Sequence, residues 1–76
     1  MRERIKKVIK DTLGLDSVPD DISQKNCEKW DSMRHLQLAV GLEMEFGVSF
    51  EPEDIGSMRS LDEIEENIKR LAAAGA

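Results

Sequence analysis

The chain has 76 residues, with 16 acidic against 11 basic side chains, a net charge of −5, one cysteine and one histidine. That length makes a single domain, residues 1–76, with a small core, since a chain of this size buries only about 60% of its extended surface. The lone Cys27 excludes an internal disulfide, one cysteine with one histidine cannot build a structural zinc site, and the acidic balance opposes nucleic-acid binding, which needs a basic patch that releases counterions.

In chain order, residues 2–13 are predicted as a first helix, because Ile5, Val8, Ile9 and Leu13 recur on one face of a 3.6-residue period. Met1-Arg2-Glu3-Arg4 leads directly into this charged pattern, so neither a secretory leader nor a membrane span is expected, and a cytoplasmic protein is. Gly14 is a natural stop. Residues 14–31 form a long connection rich in turn formers (Asp16, Ser17, Pro19, Asp20, Asp21, Ser23, Asn26), which Leu15, Val18, Ile22 and Trp30 are expected to pin to the bundle. Residues 32–46 are predicted as the second helix, stopped by Gly47. After the extended link Val48-Ser49-Phe50, Glu51 to Ile55 reads as one helical turn, with Pro52 where no N–H is needed and Gly56 as its end.

The last helix is predicted over 61–73. Ser60 is its N-cap, with Glu63 reaching back to complete a capping box. Leu61, Ile64, Ile68, Leu71 and Ala72 are expected to face inward, Arg70 to suit the dipole at the C-terminal end, and residues 73–76 to fray. The expected fold is therefore all-α: a small four-helix bundle of three longer helices and one short third helix.

The second helix carries two apolar stripes. At about 100° per residue from Met33, Leu36, Val40 and Met44 fall at about 300°, 340° and 20°. Leu38, Leu42 and Phe46 fall at about 140°, 180° and 220°, with Ala39 near 240°. So small a domain can hardly bury both. The core is assigned to Leu38, Ala39, Leu42 and Phe46. Met33, Leu36, Val40 and Met44 become the candidate partner-binding surface, and the side chain of methionine suits adaptable contacts. The competing outcome is that the short third helix and the long connection cover this stripe.

Asp31-Ser32 opens that helix. Asp31 is a favoured N-cap, and an anion attached to Ser32 Oγ would sit in the first turn, where free N–H groups and the positive dipole end stabilise it by roughly 0.3–1 kcal/mol when exposed. His35 lies roughly 60° around the helix from Ser32, and one histidine assembles no Ser-His-Asp triad. No catalytic residue and no metal ligand is therefore assigned, an enzyme is not expected, and Ser32 reads as a modified residue. His35 is expected on the surface or partly packed, and Cys27 half-exposed and structural. The acidic loops lack the ligand ladder of a calcium site.

The run Trp30-Asp31-Ser32-Met33-Arg34-His35-Leu36-Gln37-Leu38, continuing to Leu42-Glu43-Met44-Glu45-Phe46-Gly47-Val48, resembles the acyl carrier protein family, in which the serine of an Asp-Ser-Leu-type motif carries a 4′-phosphopantetheine arm. The order of elements over nearly the whole chain is similar too, including Phe50-Glu51-Pro52-Glu53-Asp54-Ile55 and Ser60-Leu61-Asp62-Glu63-Ile64. The resemblance implies an acyl-carrier-like bundle. It also implies that Ser32, with Asp31 as its motif partner, receives 4′-phosphopantetheine from coenzyme A through a separate phosphopantetheinyl transferase using Mg²⁺. The arm's thiol would then carry an acyl group as a thioester. Acyl-loading ligases or synthases and acyl-using enzymes of fatty-acid, polyketide or other specialised acyl metabolism would dock on Met33, Leu36, Gln37, Val40, Glu43 and Met44 of a monomeric carrier.

Several positions depart from the general fatty-acid carriers. Lys29 stands where glycine is usual, Trp30 precedes Asp31, Met33 replaces leucine, Arg34 and His35 stand where housekeeping members tend to be acidic, and Gln37 lacks the charge often found there, although Glu43 and Glu45 remain. These imply a specialised stand-alone bacterial member. The Asp-Ser-Met form also resembles D-alanyl carriers, so an aminoacyl cargo is the alternative. From a different class, the alternative is an unmodified acidic helical interaction module.

Overall fold

A computed structural model describes residues 1–74. Four helices account for most of them: α1 (Arg2–Leu13), α2 (Ser32–Phe46), α3 (Pro52–Ser57) and α4 (Leu61–Ala74). Among the described residues the only extended pairing is an isolated antiparallel bridge between Ser23 and Ser60, which ties the long connection to the start of α4. Gln24 N–H donates to Arg59 O at 2.8 Å and Leu61 N–H to Ile22 O at 3.1 Å across it.

The helices end where the chain adopts a left-handed turn. Gly14 (φ 67°) and Gly47 (φ 65°) follow α1 and α2, and each returns its N–H to a carbonyl of the last turn, Lys10 O and Glu43 O. A side chain with a Cβ is disfavoured at such φ values, which is why glycine punctuates both helices.

One apolar core joins α1, α2 and α4. Ile5, Ile9 and Leu13 of α1, Leu38, Ala39 and Leu42 of α2, and Leu61, Ile64 and Ile68 of α4 are buried together with Ile22, Trp30, Phe50 and Met58 from the connections. The residues expected to pin the long connection do so: Ile22 and Trp30 are buried, and Leu15 and Val18 pack half-buried against the core. Helices α1 and α2 approach closely at Gly41, where an added Cβ would lie 3.2 Å from Val8 Cγ1. A mid-helix glycine is unfavourable on its own, so its place here is explained by the crossing.

Ion pairs close the bundle edges. Arg2 of α1 donates to Asp62 at 2.8 Å and to Glu65 at 3.0 Å on α4, and Lys6 pairs with Asp20 of the long connection. The Arg2 hydrogen bond holds the Glu65 carboxyl below its ordinary range, and the Lys6 hydrogen bond does the same for Asp20.

Five local expectations are corrected. Gly56 does not end α3: the helix runs through it to Ser57, whose hydroxyl donates to Asp54 O at 2.9 Å. Arg70 does not serve the α4 dipole: its guanidinium reaches back to the buried carboxylate of Asp54 on α3. Ala72 is exposed, because the apolar face of α4 closes with the half-buried Leu71. Ala73 and Ala74 continue the helix; the remaining two residues of the tail lie outside the described residues. At the start of α4 the Glu63 N–H donates to Ser60 Oγ, but the Glu63 carboxylate accepts a hydrogen bond from the Ser60 hydroxyl rather than from the Ser60 N–H.

Gly41→Val is expected to lower the unfolding free energy by about 1–3 kcal/mol through overpacking against Val8, read from urea denaturation. Glu65 and Asp20 have depressed folded-state pKa values, so their contribution is full above the ordinary carboxylate range and is lost as pH falls through the folded values. The urea midpoint should therefore decline as pH drops below about 5, and Arg2→Gln should flatten that decline by removing the Glu65 share.

Candidate functional site

The start of α2 combines a cap, a serine and a buried anchor. Asp31 is extended (φ −89°, ψ −179°), and its carboxylate accepts the Arg34 N–H at 2.8 Å, satisfying one of the free donors of the first turn. Ser32 is the first residue of α2 and is exposed. Other serines near helix ends have engaged hydroxyls: Ser57 donates to Asp54 O and Ser60 to Glu63.

Beneath this end, Trp30 is buried at 2% exposure, and its indole N–H donates to His35 Nδ1 at 2.9 Å. The other ring nitrogen, Nε2, lies 2.6 Å from Ile55 O of α3. An indole nitrogen can only donate and a carbonyl can only accept. Both contacts are therefore satisfied by one state, the neutral ring with its proton on Nε2, which accepts at Nδ1 and donates to Ile55 O. His35 thus ties α2 to the connection before it and to α3 after it. The sequence places this ring on the surface or partly packed and does not show this role. Its one signal was the proximity of the sole tryptophan and sole histidine across a helix N-cap, and the carbonyl partner 20 residues on is set by tertiary packing.

The two stripes of α2 separate as expected. Leu38, Ala39 and Leu42 are buried and Phe46 is half-buried, with the Arg4 guanidinium over its ring at 4.6 Å. Met33 (71%), Leu36 (58%), Val40 (54%) and Met44 (81%) are exposed, and the described part of the chain covers none of them. Gln37 is exposed among them. Glu43 differs: it is half-buried, and its carboxylate accepts the Phe50 N–H at 2.8 Å, holding the link after Gly47 against α2. Cys27 is a free thiol, half-buried against the core.

Among the described residues no helix is long and apolar enough to cross a membrane, and no group of three His, Cys, Asp or Glu side chains is arranged to hold a metal ion. No protein-family model and no curated protein sequence matches the chain. The arrangement offers an exposed hydroxyl, a stabilising field for an anion attached to it, and an apolar surface starting one residue away.

His35→Ala is expected to destabilise the protein by about 1–3 kcal/mol, because it leaves a buried indole N–H without a partner. Combining it with Trp30→Phe should cost less than the sum of the two single changes, in a double-mutant cycle read by far-UV circular dichroism in urea.

Proposed function

We propose that this protein is an acyl-carrier-like domain that holds an acyl intermediate as a thioester on a 4′-phosphopantetheine arm attached to Ser32. The observation that carries the reading is the exposed Ser32 hydroxyl at the first position of a capped 15-residue helix, with an uncovered apolar stripe running down the same helix from Met33. A phosphodiester there meets the positive end of the α2 dipole and unpaired first-turn N–H groups. Attachment forms an Oγ–P bond as the pyrophosphate bridge of coenzyme A breaks; the adenosine bisphosphate leaves, and the serine proton passes to a base on the transferase.

The resemblance of residues 30–48 to the acyl carrier family supports the same reading. The partners are a phosphopantetheinyl transferase, then loading and using enzymes that meet Met33, Leu36, Gln37, Val40 and Met44. Glu43 contributes to them through its position beside the stripe, since one carboxylate oxygen is already engaged with Phe50. Lys29, Arg34 and His35 set the chain apart from the acidic general carriers and favour a specialised acyl or aminoacyl cargo.

Incubation with coenzyme A, Mg²⁺ and a broad-specificity transferase should add the mass of one arm to the intact protein, and Ser32→Ala should abolish the gain. No gain with several transferases, on a protein shown to be folded, would instead leave the unmodified interaction module as the reading.

A further inference from the structure

The charged side chains of α2 indicate what kind of surface meets it. Its two carboxylates are turned to the molecule's own groups. Glu43 accepts the Phe50 N–H. Glu45 is held by Arg4 Nε at 2.9 Å, while a second Arg4 nitrogen donates to the Glu45 carbonyl at 2.8 Å. Arg34 donates to Lys29 O at 3.3 Å, and Lys29 donates to Gly14 O at 3.2 Å. Glu45 stays exposed but paired with Arg4, and along the stripe itself α2 presents Met33, Leu36, Val40 and Met44 outward beyond Ser32, with the neutral Gln37 among them. The acidic excess of the chain lies elsewhere: in the 16–28 connection, on α3, and along α4.

An isolated exposed apolar side chain is ordinary, but four large ones along one helix face form a patch of the kind that marks a contact surface. A charged partner patch would find no charged side chain on the stripe itself, with the exposed Glu45 beside it already paired to Arg4, and would lose its own hydration on contact. The complementary surface is an uncharged, apolar one.

We infer that the enzymes served by this carrier receive α2 in an apolar cleft, and that the contact is held by burial of Met33, Leu36, Val40 and Met44 rather than by ion pairs. The inference rests on the carrier reading and adds the chemistry of the partner. Burial survives added salt, whereas attraction between exposed charges is screened as the Debye length shrinks from about 10 Å at 0.1 M toward about 3 Å at 1 M. Two unbranched methionines at the ends of the stripe let one face repack against more than one cleft.

A broad-specificity transferase with coenzyme A serves as the probe. Its KM for the carrier should stay within about twofold between about 0.05 and 0.5 M sodium chloride. Val40→Glu and Met44→Glu, both at exposed positions and checked for folding by circular dichroism, should raise KM by about tenfold or more with kcat less affected. Glu45→Gln should leave KM unchanged. With Mg²⁺ withheld so that no turnover occurs, the methionine methyl resonances of Met33 and Met44 should move on adding transferase while that of the buried Met58 stays. A steep salt dependence of KM, or glutamate variants that modify as well as wild type, would overturn the apolar cleft while Ser32 modification still upholds the carrier. Absence of any modification of the wild type removes the carrier reading and this inference with it.

Discussion

The core formed by α1, α2 and α4 has room for only one side of α2. Ile5, Ile9 and Leu13 face it from α1, and Leu61, Ile64 and Ile68 from α4; these and the α2 residues Leu38, Ala39 and Leu42 fill the interior. In a chain this short the surface is large relative to the volume, and there is no further layer to cover a second apolar face. The close crossing at Gly41 fixes which side of α2 meets α1. Once that side is set, the exposure of Met33, Leu36, Val40 and Met44 follows from the helical period, and so does the placement of Ser32 at the edge of that exposed face.

The serine end is held in place by more than its cap. Asp31 satisfies one first-turn donor, Trp30 anchors the preceding connection in the core, and His35 joins both to α3 through its two ring nitrogens. Glu43 and Arg70 add two further ties, the first to Phe50 and the second to Asp54. Polar bonds therefore seat the short α3, a helix of six residues that could not persist alone.

Much of this was legible in the sequence because it depends on local rules. The bounds of α1 and the two ends of α2 follow from period and from glycine in a left-handed turn, and the division of α2 into buried and exposed stripes follows from angle alone. What was not legible depends on residues distant in sequence. Gly56 resembles a stop, but its backbone stays helical and the Ser57 hydroxyl extends the turn. Arg70 resembles a dipole partner, but a buried carboxylate 16 residues earlier attracts it more strongly. Glu43 resembles a free docking acid, and only the return of the chain after Gly47 brings the Phe50 N–H to it. Gly41 gave no local sign of its purpose, since the constraint is Val8 on another helix. The candidate serine and its apolar face were readable; the His35 junction that holds them was not.

Trp30 is the only tryptophan and His35 the only histidine of the chain, and they touch directly on either side of Ser32. The molecule thus carries its one indole and its one imidazole ring at the spot where its chemistry is proposed to occur. Loading, unloading and docking at that end of α2 can be followed by tryptophan emission and by the two ring C–H signals of one histidine, with no label that would alter the surface under study.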